Sequence, residues 1–210
     1  MTLTTISLPR AAFPLTAALW LMTACQPSAD MPTGEPDAKV ASVSTAHDHA
    51  GSNAKVNSAQ LKVIAQVRQA TARFHDVEEA IRAGYVVQFP VGCAASAAGA
   101  QGFHYLNPTL AADAVVDPLA PELLMYEPGP NGRLELVGVD YVIPYSVLTA
   151  STMPKPTVLG VDMLNNDPLG VWALHIWSRR PNADGMFAAW NRDVSCRHAA
   201  IATLPELPQQ

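Results

Sequence analysis

Basic residues are few in this chain of 210 residues. Lys and Arg number 13 against 18 Asp and Glu, so the formal net charge is −5. The sequence also has no run of basic residues of the kind that binds phosphate backbones or anionic lipid surfaces. The composition therefore argues against a nucleic-acid partner and against membrane attachment through a polybasic segment.

Several motifs of common enzyme classes are also absent. The sequence contains no HExxH, and the small-residue stretch Gly92 to Gly102 is not followed by the Gly-Lys-Ser/Thr of a phosphate-binding loop. Ser96 lies in that stretch, outside any GxSxG elbow. These absences argue against a zincin-type peptidase, a P-loop nucleotidase and a serine hydrolase.

Long apolar runs are lacking except near the N-terminus. The run from Ala11 to Ala24 follows Arg10, contains Pro14 and is shorter than the roughly 20 residues that a membrane-spanning helix needs. A short apolar segment after a positive residue and before small residues is typical of a secretory signal peptide. We therefore predict a signal peptide at residues 1–24, and its removal makes the remaining chain more negative because Arg10 is lost with no acid.

The sequence Leu21-Met22-Thr23-Ala24-Cys25 resembles the bacterial lipoprotein signal, with Met22 where Leu is usual. The resemblance implies cleavage before Cys25, lipid on its thiol, and the membrane as a partner through that lipid. Gln26 implies an outer-membrane location facing the periplasm, because this family marks inner-membrane retention with Asp at that position. An ordinary signal peptide cut nearby is the alternative, with Cys25 left unmodified.

Cysteine is scarce, with three residues in the chain. If Cys25 carries lipid, Cys93 and Cys196 remain, and export places them in an oxidising compartment where a pair of cysteines is joined. We therefore predict a Cys93–Cys196 disulfide. Two separate buried thiols are the alternative.

The domain boundaries follow from composition. Residues 25–57 contain almost no large apolar side chain, and such a segment cannot bury enough surface to offset the entropy of ordering. We predict that this part is the lipidated cysteine followed by a flexible tether, that residues 58–203 form one globular domain, and that residues 204–210 are a frayed tail.

The domain shows one helical pattern followed by several strand patterns. From Ser58 to Arg82, apolar residues recur at steps of three and four, which predicts one long amphipathic helix with Gly84 as its C-terminal cap. Strands are predicted at 85–89, 102–106, 122–126, 133–143 and 170–177, loops at 92–102 and 146–167, and a short helical turn at 186–191. With 18 prolines, the sequence favours an α+β fold in which the helix packs on a mainly antiparallel sheet with long Pro-rich loops.

Three histidines lie inside these predicted elements: His75, His104 and His175. Imidazole is the commonest metal ligand among side chains, and Glu127, in the predicted hairpin, adds a carboxylate. A set drawn from these four residues suits zinc, copper or iron. The alternative is that each histidine is satisfied separately by the backbone or by a carboxylate.

Four segments resemble parts of a group of exported bacterial proteins that has no established activity: Phe74–Val77, Gly102–Pro108, Leu124–Pro128 and Met186–Asn191. The resemblance implies no function. It does mark segments in or beside which the four candidate ligands lie.

The sequence thus favours a membrane-anchored extracytoplasmic lipoprotein whose domain binds a small ligand, with a divalent transition metal as the leading candidate. A metal-dependent hydrolase or oxidase using the same residues is the first alternative. A structural or assembly lipoprotein without a small ligand is the second, and the sequence names no protein partner for it.

Overall fold

The computed structural model describes residues 56–148 and 155–208. The predicted signal peptide, the predicted lipidation site Cys25 and the predicted tether up to residue 55 lie outside the described residues. Within the described part of the chain, no helix is both long enough and apolar enough to cross a membrane.

The segment predicted as one helix consists of three shorter helical elements. They are α1 (Ser58–Ala70), a 3-10 helix (Ala72–His75) and α2 (Val77–Arg82). The break follows from local hydrogen bonding. The buried Thr71 hydroxyl donates to the Val67 carbonyl, which competes with helix continuation.

Side chains at the helix ends explain where the elements start and stop. The Asn57 side chain accepts from the Gln60 N–H while the Gln60 side chain accepts from the Asn57 N–H, a reciprocal cap at the start of α1. The Asp76 side chain accepts from the Glu78 N–H and begins α2. Gly84, at φ 98°, follows α2 in the left-handed conformation expected of a C-terminal glycine.

The strands form a six-stranded sheet in which every pair of neighbours is antiparallel, which confirms the α+β class. The spatial order is β1-β2-β3-β4-β8-β7, and β5 and β6 make a separate two-stranded sheet. The bounds are β1 (Val87–Ser96), β2 (Gly99–Leu106), β3 (Leu123–Pro128), β4 (Leu134–Pro144), β5 (Thr157–Val158), β6 (Val161–Asp162), β7 (Leu164–Asn166) and β8 (Val171–Ile176).

Three local predictions were wrong. Residues 92–102 belong mostly to the β1–β2 hairpin, and residues 146–167 contain β5, β6 and β7. Residues 186–191 form no helix because their backbone bonds to the sheet region instead. The Met186 carbonyl accepts from the Trp177 N–H, and the Asn191 N–H donates to Ala100.

The two faces of the sheet bury different clusters. The main core contains Ile64 and Val67 of α1 with alternate strand residues such as Tyr105, Tyr141 and Ile176. The opposite face carries two smaller apolar clusters. One contains Met125 and Trp177, and the other contains Leu123, Val142 and Val171.

The predicted disulfide is present between Cys93 and Cys196, with Cα atoms 5.8 Å apart and a sequence separation of 103 residues. It joins β1 to the C-terminal segment. Leu207 lies within the tail predicted to fray, yet it packs against the main core.

Candidate metal centre

Three side chains lie close together on the sheet face that carries the two smaller apolar clusters: His104 of β2, Asp140 of β4 and His175 of β8. One ligand atom from each lies within 4.8 Å of the others. Among the described residues, this is the only group of three His, Cys, Asp or Glu side chains close enough to hold one metal ion. His175 Nε2 lies 3.5 Å from Asp140 Oδ2, and the two imidazole ring centroids are 5.8 Å apart. The structure therefore brings together two of the four predicted ligands and adds a third residue.

Strand pairing explains this meeting. Asp140 pairs directly with His175, and residues directly opposite in an antiparallel pair point to the same face. β3 lies between β2 and β4, with His104 opposite Met125 and Asp140 opposite Leu123. His104 therefore reaches its partners across β3.

A small cavity of about 40 Å³ adjoins the three side chains. Its lining is mainly apolar and includes Phe89 and Leu123. Such a volume holds an ion with a water molecule but is far below the roughly 300 Å³ at which organic-ligand pockets begin. The arrangement therefore suits a cation better than a small organic molecule.

Two polar atoms of the group are buried without a partner. His104 is 2% exposed and Asp140 4%, and neither His104 Nδ1 nor Asp140 Oδ1 has a hydrogen-bond partner among the described residues. Leaving a buried polar atom unpaired costs about 1–3 kcal/mol. A cation bound between these side chains would satisfy both atoms.

Burial also sets the protonation of the two groups. It lowers the pKa of His104 to about 3, with the charge of His175 as a second cause. It raises the pKa of Asp140 to about 8, against the opposing effect of backbone N–H groups at Leu174 and Tyr141. His104 is thus in the neutral form that ligates metals, whereas Asp140 must release a proton when a metal binds.

Glu127 does not join the group. One of its carboxylate oxygens accepts from Arg180 Nη2 at 2.6 Å, and the other accepts from the Ser195 N–H at 2.9 Å. Both oxygens are therefore already engaged, and Glu127 lies outside the group of His104, Asp140 and His175.

His75 also lies elsewhere, at the exposed end of the 3-10 helix. Its pKa is lowered by burial first and by the charge of Arg179 second. A cation is disfavoured beside that guanidinium. His75 thus also lies outside the group of His104, Asp140 and His175.

Sequence reasoning missed Asp140, although a signal was present. The residue stands in the apolar run Val139-Asp140-Tyr141-Val142 of a predicted strand. Asp is depleted in strands and is almost never fully buried unless it is paired. An aspartate in such a run therefore indicates a buried partner.

Comparisons with known proteins add no family to this geometry. No protein-family model matches the chain, no curated protein matches it, and no solved structure matches it.

Proposed function

We propose that this protein is an extracytoplasmic lipoprotein whose domain binds a divalent transition metal through His104, Asp140 and His175. The observation that carries the proposal is the pair of unpartnered buried atoms, His104 Nδ1 and Asp140 Oδ1, beside a cavity of ionic size. Natural proteins rarely bury such atoms without a partner.

Zinc is the metal that this donor set favours. Zinc accepts imidazole nitrogen and carboxylate oxygen at about 2.0–2.2 Å, so two of its tetrahedral ligands are about 3.4 Å apart. The separation of 3.5 Å between His175 Nε2 and Asp140 Oδ2 fits this spacing. Three protein ligands leave the fourth position for water.

Iron(II) and copper(II) use the same donor types and are the competitors to test. Copper(I) fits less well because it prefers sulfur ligands, and Cys93 and Cys196 are joined to each other.

The test measures metal retained by the purified full chain. The protein is loaded with Zn²⁺, Fe²⁺ or Cu²⁺, dialysed, and analysed by elemental mass spectrometry. About one equivalent of zinc is expected on the unaltered chain, and at least a tenfold loss of affinity on His104→Ala and on Asp140→Asn.

The matched controls are His75→Ala and Glu127→Gln, which remove the two predicted ligands that lie outside the group and should retain the metal. Circular dichroism checks that each variant is folded. Equal retention by His104→Ala and by the controls, or no retention by the unaltered chain, would refute the site. In the second case the structural or assembly lipoprotein becomes the better description.

The location is part of the same proposal. The lipoprotein-like sequence at residues 21–25 and the Cys93–Cys196 disulfide support an oxidising envelope compartment and lipid on Cys25. Palmitate labelling that disappears in Cys25→Ala, together with recovery in the outer-membrane fraction, tests it. Labelling that persists in the variant would contradict lipidation at Cys25.

A metal-dependent hydrolase or oxidase is the second candidate, and the position left open by three protein ligands supports it. A metal-bound water at that position acts as a nucleophile near neutral pH. A broad substrate screen with and without chelator separates the two functions. Turnover that chelator abolishes and zinc restores favours the enzyme.

A further inference from the structure

A second cavity, of about 550 Å³, lies where the 3-10 helix, the start of β4 and the segment after β8 meet. Its lining includes His75, Arg133, Glu135, Arg179 and Arg180. This volume is within the range of small-molecule sites. We call it the arginine cleft.

The charges in the arginine cleft are only partly compensated. Arg180 donates to the carboxylates of Glu127 at 2.6 Å and Glu135 at 3.3 Å, so its charge is paired. Arg133 and Arg179, in contrast, form no ion pair with any carboxylate in the described part of the chain. Two unpaired guanidinium groups therefore line one cleft of a protein whose formal net charge is −5.

Arg179 is held in place by neutral groups. Its Nη2 donates to the Arg68 carbonyl and to the Thr71 hydroxyl, while its Nε is buried without an acceptor within residues 56–148 and 155–208. Burial lowers the pKa of Arg179, and the charge of Arg68 lowers it further. The position of this guanidinium is thus fixed while no carboxylate of the described residues pairs with its charge.

The guanidinium of Arg133, unlike that of Arg179, is not held by neighbouring groups that the structure describes. Arg133 is exposed at the start of β4, and its guanidinium makes no hydrogen bond to another described residue. All five of its N–H donors are available in the planar arrangement that matches carboxylate and phosphate oxygens. Leu134 and Leu136 add an apolar wall to the same cleft.

We propose that the arginine cleft binds a small anion carrying a phosphate or carboxylate group, held by the guanidinium groups of Arg133 and Arg179. Paired N–H donors on a charged group form the strongest class of hydrogen bonds to such oxyanions. His75 adds an imidazole at the rim. Glu135 shares Arg180 with Glu127, so three guanidinium groups face two carboxylates and one positive charge remains uncompensated. This site is separate from His104, Asp140 and His175 and does not depend on metal binding.

The test uses the full chain in a non-ionic detergent with two probes, inorganic phosphate and citrate, in isothermal titration calorimetry. Saturable binding of at least one probe is expected below about 10 mM, the concentration range of weak specific affinity. Arg133→Gln should weaken that binding about tenfold or more. Arg133→Lys keeps the charge but loses the planar arrangement of donors, so its affinity should lie between those of the unaltered chain and of Arg133→Gln.

The matched control is Arg192→Gln, an exposed arginine paired with Asp184 outside the cleft lining. It should bind the probes like the unaltered chain. The proposal is overturned if neither probe binds, or if Arg133→Gln and Arg192→Gln bind equally. Arg133→Gln should retain zinc at full stoichiometry, so failure here is distinguishable from failure of the metal site.

Discussion

The stability of the metal-free protein should decrease as pH rises from 6.5 to 8, because two buried carboxyls hold protons in the folded state. Asp140 and Glu122 are 4% and 2% exposed. Burial is the main cause that raises the pKa of each to about 8, from ordinary values of 3.8 and 4.5. The unfolded chain has lost both protons well below pH 6.5.

The sign follows from proton linkage. When the folded state binds more protons than the unfolded state, raising the pH favours unfolding. Each carboxyl therefore contributes stability that is present below its unfolded pKa and is lost as pH rises through its folded pKa of about 8. His104 acts in the opposite direction, chiefly below its ordinary pKa of 6.5 and fading above it, because its folded pKa is lowered to about 3.

The magnitude is set by the number of protons. When the folded state binds one proton more than the unfolded state, the free energy of unfolding changes by about 1 kcal/mol per pH unit. Both carboxyls act between pH 6.5 and 8. The free energy of unfolding of the unaltered protein should therefore fall with pH about twice as steeply as that of Asp140→Asn. Glu122→Gln should likewise halve the slope, and the double variant should show almost none.

The assay is urea denaturation followed by tryptophan fluorescence at closely spaced pH values, with chelator present and the disulfide intact. The slope is the readout because each substitution also changes the absolute stability. A flat or rising stability between pH 6.5 and 8 would refute the reasoning. Equal slopes for the unaltered protein and Asp140→Asn would show that Asp140 is not protonated in the folded state.

Three further predictions concern single contacts of the fold. A Cβ at Gly102, which has φ 84°, would lie 2.2 Å from a backbone oxygen of β3, whereas a Cβ at Gly92, which has φ 91°, would meet nothing within 4 Å. Gly92→Ala should thus cost only the strain of a left-handed residue, about 1–2 kcal/mol, and Gly102→Ala distinctly more by thermal denaturation. Similar losses for the two would contradict the clash. The double variant Cys93→Ala, Cys196→Ala should lose about 4 kcal/mol in urea titrations, and a loss near zero would show that the bridge constrains little of the unfolded chain. Glu127→Gln should lower stability by about 1 kcal/mol, because it weakens a partly buried ion pair, and should leave zinc affinity unchanged in competition with a chromogenic chelator; a tenfold loss of zinc affinity would return Glu127 to the list of ligands.

The sequence was most informative where the signal was local. The strands at 122–126, 133–143 and 170–177 were predicted from β-branched and aromatic runs and occur as β3, β4 and β8. The Cys93–Cys196 bridge was predicted by counting the cysteines that remain once Cys25 is assigned to a predicted lipid anchor, and it is present.

Local patterns misled where composition or period did not report the backbone contacts. Residues 92–102 looked like a loop because Ala, Gly and Ser have low strand propensity, yet β1 and β2 pair there, and Gly102 lets the backbone of β3 approach closely. The helix from Ser58 to Arg82 was predicted as one element because its apolar period is continuous. Its interruption depends on a side-chain bond at Thr71 that the period does not reveal.

The amino-acid sequence by itself predicted the strands β3, β4 and β8, the pairing of Cys93 with Cys196 and the presence of His104 and His175 on strands. Only the tertiary structure decided which of those histidines share a site. β8 pairs with its sequence neighbour β7 on one side and with the distant β4 on the other, and the pairing with β4 places His175 opposite Asp140 and within reach of His104. Residue spacing along a chain carries no information about such long-range register, which is set by the order of strands in the sheet and by the burial of its two faces.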